Sequence, residues 1–289
     1  MPTTNDDHSD TQEMQPSKEV LNRILENQEQ KNVTREGKID LETEEERIYA
    51  EGLRILNKTG ISYAVGAALA RHFYTGVWRT TKDLDLFVSP GDLKTVLDAF
   101  AGNGFEIEVS EKHWLAKAHK KGFFIDIIFA SGHGHLRVDE TWFHGSQPAR
   151  VLRIKTQILP IEVMIALAVF VATRNRFDGA EVAHLILSRK GNIDWQRIID
   201  LLGEHWELLL WHLVFFDYIY PGHPEYLPQD VMIRLFQRVR RRWAKGSKNP
   251  EEFRGTIIDP FIFAVDVEDW GYKDQRKLEP LVDDEGDLL

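Results

Sequence analysis

The chain of 289 residues contains no cysteine, so neither a disulfide framework nor a thiolate metal site is open to it. That absence suits a reducing compartment, and a cytoplasmic protein is expected. Long apolar runs are lacking too. The longest, 208–220, is interrupted by His212 and Asp217 and is too short to cross a bilayer, so no membrane partner is expected. Residues 1–16 are polar and acidic, without the apolar stretch of a signal peptide. No internal repeat is visible. Positive charge is also scarce, with 36 basic against 46 acidic residues and a formal net charge of −10. The excess sits at the ends. Residues 1–46 hold 13 acidic and 5 basic side chains and 279–289 hold 5 acidic and none basic, which leaves +3 for the stretch between. Duplex DNA is therefore a poor partner, because its affinity rests on phosphate neutralisation by basic residues. A phosphate-bearing small molecule remains compatible.

What is present is enough apolar residue, 43% with 8 Trp and 16 Phe, to build a sizeable core. Residues 1–40 are polar and expected to be a disordered acidic tail, in which Leu21, Ile24 and Leu25 offer at most a short docking helix. Thr43-Glu-Glu-Glu46 reads as a capping box opening a helix to about Lys58, stopped by Gly60. Residues 61–65 read as a buried strand, Gly66-Ala67-Ala68 as a turn into a helix ending near Gly76, and 83–88 as a strand. Ser89 and Pro90 start a helix whose face carries Leu93, Val96, Leu97 and Phe100. Strands follow at 105–109, 114–118 and 123–129, with one more at 151–154. From Ile161 the pattern is helical, over 161–174, 179–189, 195–202, 205–220 and 229–244. Asp178 and Glu181 have capping-box spacing, and Asn192 or Asp194 caps the next helix. The expected architecture is an α/β domain with a mixed sheet over 41–155, a helical domain over 156–245, and an irregular acidic segment over 246–289.

The chemistry concentrates on three carboxylates. Asp83 and Asp85 are two apart on a strand, so both leave the same face, while Leu84 and Leu86 leave the other. Neighbouring carboxylates raise one another's pKa unless a cation lies between them, and magnesium or manganese is the natural solution for hard oxygen donors. Asp126 stands inside the apolar run 123–129, where a lone charge is costly unless it is paired or on metal. If its strand lies beside 83–88, three carboxylates converge, an arrangement able to hold two metal ions. Asp126 paired with Lys117 or Lys121 is the structural alternative. Upstream, Gly66 and Ala67 sit between strand and helix, where small residues let backbone N–H groups approach phosphate oxygens. Arg79, Thr80, Thr81 and Lys82 lead into the Asp pair and supply cationic and hydroxyl donors.

The order strand, Gly66-Ala67, helix, Asp83-Leu-Asp85 and a later strand Asp126 resembles the polymerase-beta-like nucleotidyltransferase superfamily. The stretches 74–88, 113–118 and 176–185, with Tyr220-Pro221, are similar to an uncharacterised bacterial nucleotidyltransferase-like family, over about residues 45–240. The resemblance implies that Asp83, Asp85 and Asp126 bind Mg2+ or Mn2+, with Asp126 also helping to deprotonate an acceptor hydroxyl. It implies that Gly66 and Ala67 hold the triphosphate of an NTP substrate, and that the transfer needs no covalent nucleophile. Two positions depart from the pattern. Ala67 stands where Gly or Ser is commoner. The helix beginning at Ile161 has no Lys, Ala168 falling at its place, with Arg174 or Arg176 as substitutes.

Other features carry blander readings. A haloacid-dehalogenase phosphatase also uses Asp-x-Asp after a strand, but Leu86-Phe87 does not fit the residues that follow there. His133 and His135 offer two metal ligands, against the simpler reading of a flexible loop near the site mouth. His184, His205 and His212 read as packing residues. Arg238, Arg240, Arg241 and Arg242 read as a solvated helix end rather than an RNA grip. Two functions follow. One is an enzyme moving a nucleoside monophosphate from an NTP to a hydroxyl acceptor (a small molecule, a protein or an RNA end) with release of pyrophosphate. The other is a catalytically weakened nucleotide-binding module of a toxin–antitoxin or defence system, which brings in a protein partner.

Overall fold

The computed structural model describes residues 41–78, 81–246 and 251–289. The tail 1–40, with Leu21, Ile24 and Leu25, and the pair Arg79 and Thr80 lie outside the described residues.

Helix α1, Thr43–Thr59, is opened by Glu42 rather than Thr43. The extended backbone at Glu42 makes it the cap, and Glu45 closes a reciprocal capping box with it. Gly60, at φ +74°, supplies the left-handed stop. The chain then forms β1, Tyr63–Val65, helix α2, Ala67–Thr75, and β2, Asp83–Val88. Ser89 caps a short 3-10 turn, accepting from the Gly91 N–H, and helix α3, Leu93–Ala101, follows. Strands β3, Glu106–Glu111, β4, Leu115–Lys120, and β5, Phe123–Ile128, form a meander.

After the short helix α4, Glu140–Phe143, strands β6, Gln147–Val151, and β7, Ile154–Ile158, pair as an antiparallel hairpin. The single strand expected at 151–154 is therefore the turn between two strands. Leu152 and Arg153 both take positive φ there, +48° and +66°, which is the conformation a two-residue hairpin loop demands. Nothing in this non-glycine dipeptide advertises it.

The seven strands make one mixed sheet in the order β3-β4-β5-β2-β1-β7-β6. Strands β2 and β5 run parallel at its centre, with Leu84 beside Ile125, Asp85 beside Asp126 and Leu86 beside Ile127. Because side chains alternate across a strand, the apolar four share one face and are fully buried. Helices α1 and α3 cover that face. Gly52 on α1 permits the close approach, since a Cβ there would stand 2.4 Å from Ile125 Cδ1. The opposite face carries Asp85 and Asp126 side by side.

The C-terminal helices are α5, Ile161–Ala168, α6, Gly179–Ser188, α7, Trp195–Leu202, α8, Trp206–Ile219, and α9, Gln229–Lys245. Helix α5 stops six residues before the expected 174. The chain turns out into a small hairpin in which Ala172 bridges Phe177 and the Thr173 hydroxyl accepts from the Arg176 N–H. Side-chain competition of this kind ends helices. Helix α6 packs on α2 and α5, so the helical part closes over the face that bears the carboxylates. The last segment adds α10, Gly255–Ile258, and α11, Ala264–Glu268. Its Lys277 N–H donates to the His133 carbonyl and its Leu281 N–H to the Lys112 carbonyl, and Val282 is fully buried. Among the described residues no helix is long and apolar enough to cross a membrane.

Candidate active site

Asp83 and Asp85 leave the same face of β2, and the parallel register sets Asp126 of β5 directly beside Asp85. Each of the three offers an oxygen within 4.8 Å of the others'. The pattern of 83–88 could be read as a strand from its alternation; that β5 lies next to it comes only from the tertiary pairing.

The electrostatics of this cluster are unfavourable as it stands. Burial first, then the charges of Asp83 and Asp126, push the Asp85 carboxyl up to about 8, against the opposing pull of Arg176 and Lys117. Burial also raises Asp126, and its bond to Lys117 works the other way. The Lys117 ammonium donates to Asp126 Oδ1 at 2.5 Å and lies 4.3 Å from the centre of the Phe124 ring. Lys121, the other partner considered from sequence, instead meets Glu44 at 2.6 Å. The donor set is all carboxylate oxygen, gathered within 4.8 Å, and it carries excess negative charge. These are the properties that fit Mg2+ or Mn2+.

Beside the cluster is the turn at Gly66. Its N–H donates to the Asp85 carbonyl at 3.0 Å, which ties the turn to the strand that bears the aspartate pair. A Cβ on Gly66 would stand 2.2 Å from Phe87 Cε2, so the ring closing the turn from below requires glycine. Gly66 is also the N-cap of α2, whose first backbone bond is Ala70 N–H to the Gly66 carbonyl. The N–H groups ahead of Ala70 therefore lack intrahelical acceptors, the usual condition for anion binding at a helix start. Ala67 sits in the left-handed region at φ +42°. A residue with a Cβ pays about 1–2 kcal/mol there, which explains why glycine suits such a position.

The remaining residues singled out from sequence are placed differently. Thr81 donates its hydroxyl to Asp83 Oδ1 at 2.6 Å, holding a carboxylate rather than standing free for phosphate. Lys82 is exposed. Helix α5 presents buried Ala168 where the family pattern suggested Lys. Of the two substitutes, Arg174 uses its backbone N–H on Asp259, whereas the guanidinium of Arg176 lies close enough for Asp85 and Arg176 each to shift the other's ionisation.

Asp178 and Glu181 do not form a capping box. Asp178 starts α6 without a side-chain cap bond, because both its oxygens are taken by Arg176 at 2.7–3.1 Å. Glu181 turns inward to Arg71 of α2 at 2.7 Å, with both side chains under 10% exposed. Burial raises the Glu181 carboxyl even with Arg71 beside it. This buried pair joins the helix of the glycine turn to the helical part. Sequence reasoning missed it, since capping spacing and an inward Glu are indistinguishable without a partner 110 residues away.

The loop 131–135 is not a free loop. Ser131 and Leu136 close it through a 2.7 Å backbone bond, and the His133 ring packs at a tilt on Phe170 with ring centres 4.1 Å apart. His212 and His205 are both buried. On α9, Arg238 lies over Trp206 and Arg242 pairs with Glu207.

A mixed α/β sheet with paired acidic residues on one strand, a third on its parallel neighbour and a glycine turn alongside is the layout of a nucleotidyltransferase. The chain belongs to the family described as uncharacterised nucleotidyltransferase, whose model matches residues 8–210. No curated protein matches the chain. Among solved structures it is similar to the antibiotic-resistance factor ANT(2″)-Ia, with 12% identity, 63% of this chain and 100% of that one covered, and a TM-score of 0.43. It is similar to the lincosamide antibiotic adenylyltransferase LnuA in its lincomycin-bound form, with 17% identity, coverage of 50% and 96%, and a TM-score of 0.37. A nucleotidyltransferase-like protein from Paracoccidioides brasiliensis gives 13%, 58% and 89%, and 0.36.

Proposed function

We propose that this protein transfers a nucleoside monophosphate from an NTP to a hydroxyl acceptor, with Asp83, Asp85 and Asp126 as the ligands of divalent cations. The observation that carries the reading is the convergence of three carboxylate oxygens within 4.8 Å, on parallel strands, beside the Gly66 turn. A bound Mg2+ or Mn2+ supplies charge neutralisation at the phosphates and at the attacking oxygen. The residues of the chain do the rest. The N–H groups at the start of α2 hold triphosphate oxygens, with Arg176 and Lys82 as the cations available to them. Asp126 takes the proton of the acceptor hydroxyl. The acceptor oxygen then bonds to the α-phosphorus as the bond from that phosphorus to the β-phosphate bridging oxygen breaks, and pyrophosphate leaves. Thr81 keeps Asp83 in its orientation throughout.

The reading predicts magnesium-dependent release of pyrophosphate and transfer of α-labelled phosphate across a panel of small hydroxylated molecules, proteins and RNA ends. Asp83→Ala and Asp126→Ala should each abolish both. Failure of wild-type protein to transfer label to any acceptor, with nucleotide binding intact, would favour the second reading, a nucleotide-binding module without turnover. Two observations support that alternative: Lys117 already engages Asp126, and the helix Ile161–Ala168 has no lysine to meet a triphosphate.

A further inference from the structure

We infer that His135, Glu204 and His205 form a second metal site, separate from the aspartate cluster and suited to a borderline transition ion such as zinc. The three offer two imidazole nitrogens and a carboxylate oxygen within 4.8 Å of one another. They come from two places far apart in sequence, the loop after β5 and the 3-10 turn Gly203–His205 ahead of α8.

One hydrogen bond sets what the His135 ring presents. His135 Nε2 lies 2.8 Å from the Gln275 carbonyl oxygen. A carbonyl only accepts, so Nε2 carries the hydrogen and Nδ1 keeps its lone pair. A metal-bound histidine is oriented in the same way, by donating its other ring nitrogen to a carbonyl. His205 Nε2 stands 3.3 Å from that Nδ1, with the two ring planes at 88°. Tetrahedral zinc with arms of about 2.0–2.1 Å sets its ligand atoms about 3.3–3.4 Å apart. The separation is long for an N–H···N bond and matches the edge of such a tetrahedron. Arg254 donates to one oxygen of Glu204 at 3.2 Å, which orients the carboxylate. His133 stands outside this group, and its Nδ1 is occupied by the His135 N–H and the Ser131 hydroxyl.

The loop is built to stay in place. Gly134 takes φ +73°, and a Cβ there would stand 1.7 Å from the Lys277 carbonyl oxygen, so the glycine lets the C-terminal segment lie across the loop. Glu204 and His205 line a groove of about 1170 Å³ with Arg238, Arg241 and Arg254. The ion would fasten the loop after β5, the start of α8 and, through Gln275, the C-terminal segment.

The test uses the full chain carrying Asp83→Asn and Asp126→Asn, which removes two of the three aspartate ligands. After chelator treatment it is titrated with Co2+ and followed by visible absorption, then back-titrated with Zn2+. One equivalent of cobalt should give an intense band of four-coordinate type, bleached by one equivalent of zinc. His135→Gln should weaken zinc binding about a hundredfold or more, and the exposed Glu204→Gln about tenfold, with unchanged circular dichroism. A folded protein that gives no such band, or zinc affinity unmoved by both variants, would overturn the assignment. Neither result bears on nucleotidyl transfer, which rests on the aspartates.

Discussion

Replacing Asp85 by asparagine should stabilise the metal-free protein. In the unfolded chain an aspartate ionises near 3.8, and in the folded one Asp85 holds its proton to about 8. A group raised on folding contributes stability that is complete below the unfolded value and is lost as pH climbs toward the folded one. At pH 7 the folded state keeps a proton that the unfolded chain has released some three units earlier. At about 1.4 kcal/mol per unit this costs roughly 4 kcal/mol, and water reaching the half-buried carboxyl trims it to about 2–3 kcal/mol. Asparagine keeps the shape and removes the charge. In EDTA, Asp85→Asn should therefore melt about 5–10 °C above wild type at pH 8, with the gap closing toward pH 4. Magnesium should raise the wild type toward the variant and release a proton as it binds, measurable as a buffer-dependent heat. Urea and thermal denaturation at several pH values decide the matter. A variant no more stable than wild type at pH 8 in EDTA, or a gain that ignores pH, would refute the electrostatic account of the cluster.

Lys117→Met removes the cation from Asp126 and should cost about 1–3 kcal/mol in EDTA, a loss that magnesium recovers in urea titrations. Ala67→Gly relieves the left-handed strain while loosening the unfolded chain, for a net gain of about 0.5–1 kcal/mol; Ala67→Val should lower the melting temperature instead. Glu181→Ala leaves Arg71 buried without its partner and should cost about 3–5 kcal/mol, whereas the paired change Arg71→Met with Glu181→Leu should recover most of it. Chemical denaturation of the two forms side by side checks this.

The parts legible in the sequence were those whose cause is local. Alternation revealed β2, so Asp83 and Asp85 could be placed on one face, and Asp126 stood out because a charge inside an apolar strand demands a reason. Gly60 stopped α1 because no other residue takes that conformation so readily. Where the reading slipped, the deciding partner was distant or the local signal was misleading. Glu181 answers to Arg71 rather than to its own helix start. The end of α5 is set by a hairpin through Thr173 and Phe177, although an unbroken apolar run points past it. Leu152 and Arg153 form a tight turn with residues that ordinarily avoid one. The His135–His205 contact joins segments 70 residues apart, so no spacing rule could have linked them.

Strands β2 and β5 are neighbours in parallel, so the gap between Asp85 and Asp126 is fixed by peptide hydrogen bonds at about 4.8 Å. It is a ruler made of backbone. Side chains elsewhere in the cleft can be exchanged without changing its length, and what it measures out is the distance at which two acids can grip one small ion. Side chains on the far wall of the cleft can therefore change while the spacing of the two acids stays the same.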